Sequence, residues 1–206
     1  MSSATITTSA RLMNSTPQTE EQAMVRKVAV SSFLGNFIEW FDYASYSYFA
    51  TTIALVFFPT DNHTVAMLQT FGVFALSFIL RPIGALFWGS YGDKKGRKAA
   101  LAHSIMFMSG ASFLIGCLPS YSVIGVGAPI LLLLLRMVQG FSASGEYAGA
   151  ATFLGEYAPT SKRGIYCSLI PASTAIGLLA GSTLATLMTA NMNSSAMVGW
   201  GWRVPF

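Results

Sequence analysis

The chain has 206 residues, of which 53% are hydrophobic and only 10% charged, with a formal net charge of +4. Soluble domains carry about 25% charged residues, so this composition excludes a water-facing globular surface and reads as an integral membrane protein. Two cysteines, Cys117 and Cys167, are too few for a disulfide framework or a structural metal site.

Residues 1–24 are rich in Ser and Thr and hold no apolar core beside a small-residue cleavage site, so they are not a secretory signal. They read as disordered, and the cytoplasmic tail as a whole, residues 1–27, ends on Arg26 and Lys27. Five apolar segments follow, over about 28–58, 65–91, 99–118, 123–157 and 164–190. A membrane-spanning helix needs about 20 residues, so each segment is long enough to cross, some with tilt. None sustains a period-2 alternation, and the predicted fold is therefore all-α, a polytopic membrane helix bundle over residues 28–206. The segment from Trp200 to Phe206 reads as the start of a sixth span, which makes the chain a candidate fragment of a longer protein.

The connections alternate in charge. Arg26, Lys27, Lys94, Lys95, Arg97, Lys98, Lys162 and Arg163 lie in the tail and in the connections after the second and fourth segments, whereas the other connections hold no Lys or Arg. By the positive-inside rule the N terminus and the 89–101 turn are cytoplasmic, and the basic residues are topology signals rather than a nucleic-acid footprint. The expected partner is the lipid bilayer, with no nucleic acid.

Five charged residues fall away from the ends of the apolar segments: Glu39 and Asp42 in the first, Arg81 in the second, Arg136 and Glu146 in the fourth. Charges at membrane depth are costly and pair with each other or face a pathway. At 1.5 Å rise per residue, Asp42 lies about 24 Å and Arg136 about 20 Å from the outer ends of their segments, level enough for an ion pair. Such a pair suits a proton-linked switch, since protonating the carboxylate frees the arginine for an anionic group. Glu39 precedes Asp42 by three residues and is expected on nearly the same face. Gln139, three residues after Arg136, shares the side of Arg136 and Glu146, and Tyr43 and Tyr46 border the first-segment face. The alternative is that these charges only hold the bundle together.

Ser173, Gly177, Gly181 and Ala185 recur every four residues along the fifth segment, a stripe that admits a close neighbouring helix. Gly145 and Gly149 do the same in the fourth, and Pro82, Pro129 and Pro171 are expected to bend their spans. Enzyme chemistry has no support: His63 and His103 are far apart, and no phosphate-cradling loop follows a strand.

These stretches resemble the major facilitator superfamily, and within it the metabolite:proton symporters. The 89–101 turn is similar to the superfamily's signature between helices 2 and 3: Gly89, Asp93, Lys94, Gly96, Arg97, Lys98 and Leu101 match, and Tyr91 replaces the usual Leu. Gly35 to Tyr43 resembles the subfamily's helix 1, Arg81-Pro82-Ile83-Gly84 the end of its helix 2, and Arg136 to Tyr147 its helix 4, with Ser144 where Gly is usual. Glu156 to Pro159, Lys162 to Gly164 and Trp200 to Phe206 also match.

The resemblance implies the N-terminal half of a secondary active transporter, with twelve spans in two halves and a missing C-terminal half as partner. It implies proton-coupled symport of a small organic acid or zwitterion by alternating access. Asp42 and Glu39 would couple protons, while Arg136, Gln139, Tyr43 and Glu146 would bind substrate. Gly89, Asp93, Gly96, Arg97, Glu156 and Arg163 would gate the conformational change. No cofactor is expected, since the proton gradient supplies the energy, and the location would be the cell inner (plasma) membrane. Proton-independent facilitation, or a truncated, non-transporting membrane protein or sensor built on a transporter-like bundle, remain the alternatives.

Overall fold

The structure is a computed structural model that describes residues 16–145 and 154–206, with side-chain surroundings from residue 23 onward. Among these residues every regular element is helical. Helix α1 (Thr16–Tyr48) runs almost directly into α2 (Ala50–Phe57). The Phe49 N–H still reaches the Ser45 carbonyl at 2.9 Å and the Ile53 N–H reaches Phe49 at 2.8 Å, so the two form one rod with a small break. The helix begins at Thr16, inside the stretch that composition alone reads as tail. Pro17 sits in the first turn, where its fixed φ and missing N–H favour a helix start despite the low hydrophobicity.

Helix α3 (His63–Ile79) starts under the Asn62 side chain, which accepts from the Thr64 and Val65 N–H groups. It stops at Leu80, and α4 (Arg81–Lys95) restarts with Pro82 in its first turn. Pro82 has no N–H to return to the previous turn, so the axis breaks there and Arg81 lies at the break. Gly96, at φ +94°, separates α4 from α5 (Arg97–Cys117). That left-handed backbone is open to glycine at little cost, which explains Gly96 inside the charged turn. A single turn, α6 (Tyr121–Ile124), precedes α7 (Gly127–Ala143), and residues 154–157 are again helical. Helix α8 (Arg163–Asn191) carries Pro171 in its interior, and α9 (Ser194–Gly199) leads to a 3-10 turn at Gly201–Arg203.

Among the described residues, three stretches are long and apolar enough to cross a membrane: His63–Lys95, Arg97–Cys117 and Arg163–Asn191. Helix α7 is apolar and shorter. In α1, Asn36, Glu39 and Asp42 interrupt the apolar residues and lower the mean hydropathy of its middle turns.

Helix α8 lies along α1, and α7 packs against α3, α4 and α5. The small residues explain both contacts. A Cβ at Gly177 would stand 2.7 Å from the Phe37 carbonyl oxygen, and one at Gly181 would stand 2.6 Å from the Ala44 Cβ. Likewise, a side chain at Gly140 would run into the Ser77 carbonyl of α3. Where hydrocarbon replaces water, such close backbone approach supplies much of the helix–helix attraction.

The interior has three layers along α1. Val25 and Ala29 pack with Leu154, Ala158 and Ile170 at one end, while Tyr46, Phe49 and Ile53 pack with Phe57, Ile115, Leu132 and Trp202 at the other. Between them lie buried Asn36, Glu39 and Asp42. The outside is the reverse, with Leu68, Leu86, Phe113 and Leu179 each at least 66% exposed. A polar middle inside an apolar exterior is the arrangement of a multi-pass membrane protein.

Candidate functional site

The polar layer is organised by the 100° step of α1. Residues four apart lie above one another, and residues three apart differ by about 60° around the axis. Asn36 with Trp40, Glu39 with Tyr43, and Asp42 with Tyr46 are therefore three pairs on three adjacent faces, and each meets a different neighbour.

Asn36 faces α8. Its side-chain nitrogen donates to the Ile170 carbonyl at 3.0 Å, Ser173 Oγ at 2.8 Å and Thr174 Oγ1 at 2.8 Å. Its oxygen accepts from the Trp40 indole N–H at 3.2 Å, which holds that ring in place. This amide clamps α1 to α8 beside Pro171.

Asp42 faces α5 and α7. Its Oδ2 accepts from Arg136 Nη1, and its Oδ1 accepts from Gln139 Nε2 at 3.3 Å and Ser112 Oγ at 3.4 Å. Gln139 also donates to Ser112 at 2.6 Å. The Arg136 guanidinium carbon lies 4.0 Å from the centre of the Tyr46 ring, whose hydroxyl donates to the Thr70 carbonyl at 2.9 Å. Arg136 is 1% exposed and Asp42 is 5% exposed, so the pair is sealed. Arg136 Nε and Nη2 make no hydrogen bond among the described residues. The carboxylate and the ring face carry this guanidinium.

Glu39 and Tyr43 face the break between α3 and α4. Arg81 Nη2 donates to Glu39 Oε1 and to the Tyr43 hydroxyl. Its guanidinium carbon lies 4.7 Å from the Phe78 ring centre and 5.3 Å from that of Tyr43. Glu39 is buried, but the Arg81 side chain is 30% exposed. It borders a cleft of about 480 Å³ lined also by Glu39, Trp40, Pro82, Ala85, Ala143 and Ser144. Phe74 stands between the two centres, stacked on Tyr46 at 5.3 Å and edge-on to Tyr43 at 5.5 Å.

The structure thus brings Asp42, Arg136 and Gln139 together, and separately Glu39 and Tyr43. It does not put Glu39 and Asp42 on one partner, because 60° of rotation delivers them to different helices. Glu146 lies outside the described residues. In the 89–101 turn, Gly96 caps α4, and Asp93 and Arg97 are exposed. Arg97 Nη1 lies 3.7 Å from Glu156 Oε2, with both side chains about half-exposed. Gly89 and Arg163 are exposed, and neither Asp93 nor Arg163 makes a salt bridge among the described residues. No group of three or more His, Cys, Asp or Glu that could hold a metal occurs among the described residues.

Sequence reasoning noted Arg81 as an intramembrane charge without giving it a role, and it passed over Ser112 and Trp40. Arg81 had a signal, since Glu39 and Tyr43 at i and i+4 form a polar stripe that needs a cationic or donor partner. Ser112 had none, as one hydroxyl among the small residues of α5.

Residues 27–206 match the family model described as "Sugar (and other) transporter". The chain is 41% identical over 186 residues to the proline/betaine transporters of Salmonella typhimurium and Escherichia coli, which covers 90% of this chain and 37% of each relative. It is equally similar, at 41% and the same coverage, to the glycine betaine/proline/ectoine/pipecolic acid transporter of Dickeya dadantii. The chain therefore spans less than two-fifths of the length of these relatives. No solved structure matches. The helical bundle, the signature turn and the match over most of its length agree: the chain belongs to the sugar (and other) transporter family of the major facilitator superfamily.

Proposed function

We propose that this chain forms the N-terminal bundle of a secondary active transporter that moves a small zwitterion or organic acid together with protons by alternating access. The observation that carries the reading is the sealed Asp42–Arg136 pair at the centre of an apolar-faced bundle. The proton is the coupling ion, with no cofactor, and the transporter is not an enzyme; the relatives' names support the transporter class. The transport activity is proposed for the whole protein, because the chain spans only part of its relatives.

In this reading Asp42 carries the proton. Protonation removes the charge that holds Arg136 and loosens α1 from α7. The freed guanidinium, with Gln139 beside it, then takes a carboxylate bidentately or waits as counter-ion. Glu39 is a second protonatable group, with Tyr43 on its face, and Glu146 is a further substrate-binding residue in this proposal. Gly89, Asp93, Gly96, Arg97, Glu156 and Arg163 form the gate at the basic end, which lies in the cytoplasm if the basic connections follow the positive-inside rule in the inner membrane.

The test is uptake of radiolabelled glycine betaine and proline by proteoliposomes under an imposed proton gradient. The protein accumulates substrate, an uncoupler abolishes accumulation, and Asp42→Asn retains exchange while losing accumulation. Unchanged accumulation by Asp42→Asn ends the proton role, and uncoupler-insensitive uptake indicates facilitation.

A further inference from the structure

The two arginines in the middle of the bundle differ in what they leave open. Arg136 is enclosed, whereas Arg81 presents its side chain to a cleft of about 480 Å³. That volume falls in the roughly 300–1,000 Å³ range of small-molecule sites. Glu39 and Arg81 use one carboxylate oxygen and one guanidinium nitrogen on each other. Arg81 Nε is buried without a hydrogen-bond partner among the described residues, so what the cleft meets is the exposed part of the side chain. Trp40 lines the same cleft and is held by Asn36.

Charge decides what fits. Among the described residues, the ionised groups in the middle of the helices are Glu39, Asp42, Arg81 and Arg136, and each acid is paired with one arginine. While both acids are ionised, no surplus cation among the described residues is left there to meet a net anion. A dicarboxylate entering the cleft would bring charge that this interior does not balance, at a steep desolvation cost. A molecule with one carboxylate and one cation adds no net charge, and its two ends match the two halves of the Glu39–Arg81 pair.

We propose that the cleft beside Arg81 is a zwitterion site, in which the ligand's carboxylate binds Arg81 and its alkylated ammonium sits on the Trp40 ring beside Glu39. This rests on the transporter reading and goes beyond it by naming the site and the charge class. Arg81 supplies charge-assisted hydrogen bonds, and the indole face attracts a cation too bulky to donate hydrogen bonds. The break at Leu80 and Pro82 matters here, because it places Arg81 at a helix start on the edge of the cleft instead of within a packed helix face.

The test is equilibrium binding of radiolabelled glycine betaine and succinate to the purified protein in nanodiscs, without any gradient. Glycine betaine binds at least tenfold more tightly than succinate. The double variant Glu39→Gln/Arg81→Gln removes both charges together and leaves no lone buried ion, so it folds, as its helical circular dichroism and elution volume report. It loses at least tenfold in betaine affinity. Trp40→Leu loses roughly 3- to 30-fold, and Trp40→Phe much less. Betaine affinity within twofold of the unmodified protein in a folded double variant overturns the site and leaves the transporter reading intact. Tighter binding of succinate than of betaine, or binding of neither, overturns the zwitterion class, while gradient-driven uptake of another substrate would still uphold transport.

Discussion

Asp42–Arg136 and Glu39–Arg81 are the same chemical pair, an acid on α1 and an arginine on a neighbouring helix, placed one turn apart and built to different ends. The first is closed on every side, with 1% exposure at Arg136 and two further donors, Gln139 and Ser112, on the carboxylate. The second has a buried acid and a partly exposed arginine on a cleft. While it is sealed, this pair responds to a change in its own charge state, such as a proton, since nothing larger reaches it. A pair on a cleft can exchange partners with a ligand. Burial, and not residue type, separates the two roles.

Breaking the sealed pair is the largest expected effect. Arg136→Gln leaves the Asp42 carboxyl without its counter-charge in a low dielectric, and the loss of one partner from a buried pair costs about 3–5 kcal/mol. The variant should lose most of its thermal stability in detergent, measured by intrinsic-fluorescence unfolding. Adding Asp42→Asn removes the stranded charge and should recover most of the loss. If the double variant is no more stable than Arg136→Gln alone, the cost lies in packing against Tyr46 and not in charge.

Arg81→Gln sharpens the contrast. Its side chain is 30% exposed, so water relieves part of the penalty. The cost should fall between the ~1 kcal/mol of a surface pair and the ~3 kcal/mol of a buried one. An Arg81→Gln midpoint as low as that of Arg136→Gln would show that the cleft is not wetted and that the two centres do not differ as described.

The all-helical membrane fold was legible in the sequence because it follows from the length of the apolar segments and the lack of a period-2 alternation. The stripe of Ser173, Gly177 and Gly181 announced a close helix, and α1 does fill that groove. The Asp42–Arg136 pair was legible too, because depth along two helices is simple arithmetic on the rise per residue. The partner of Glu39 was not. It depends on the break at Leu80, which swings Arg81 toward α1, and a proline near a span end does not by itself say which way the following helix turns. Ser112 and Trp40 gain their places from rotation about their helices, which linear spacing on another helix does not report.

The smallest effect belongs to the third acid–arginine pair, at the basic end. Arg97 and Glu156 stand 3.7 Å apart with side chains 47% and 54% exposed. Two long side chains in water gain little from such a contact, at most about 0.5–1 kcal/mol, and salt screens what they gain. Arg97→Gln should therefore leave the thermal midpoint nearly unchanged, and raising salt from 0.05 to 0.5 M should erase whatever difference remains. The sealed Asp42–Arg136 pair, shielded from ions, should show no such salt dependence. If the pair acts as a gate, its importance lies in the balance between conformations, where about 1.4 kcal/mol is already a tenfold shift in population. Arg97→Gln would then change the rate of substrate exchange in proteoliposomes with little change in unfolding. Equal loss in both measurements would make the pair a structural tie.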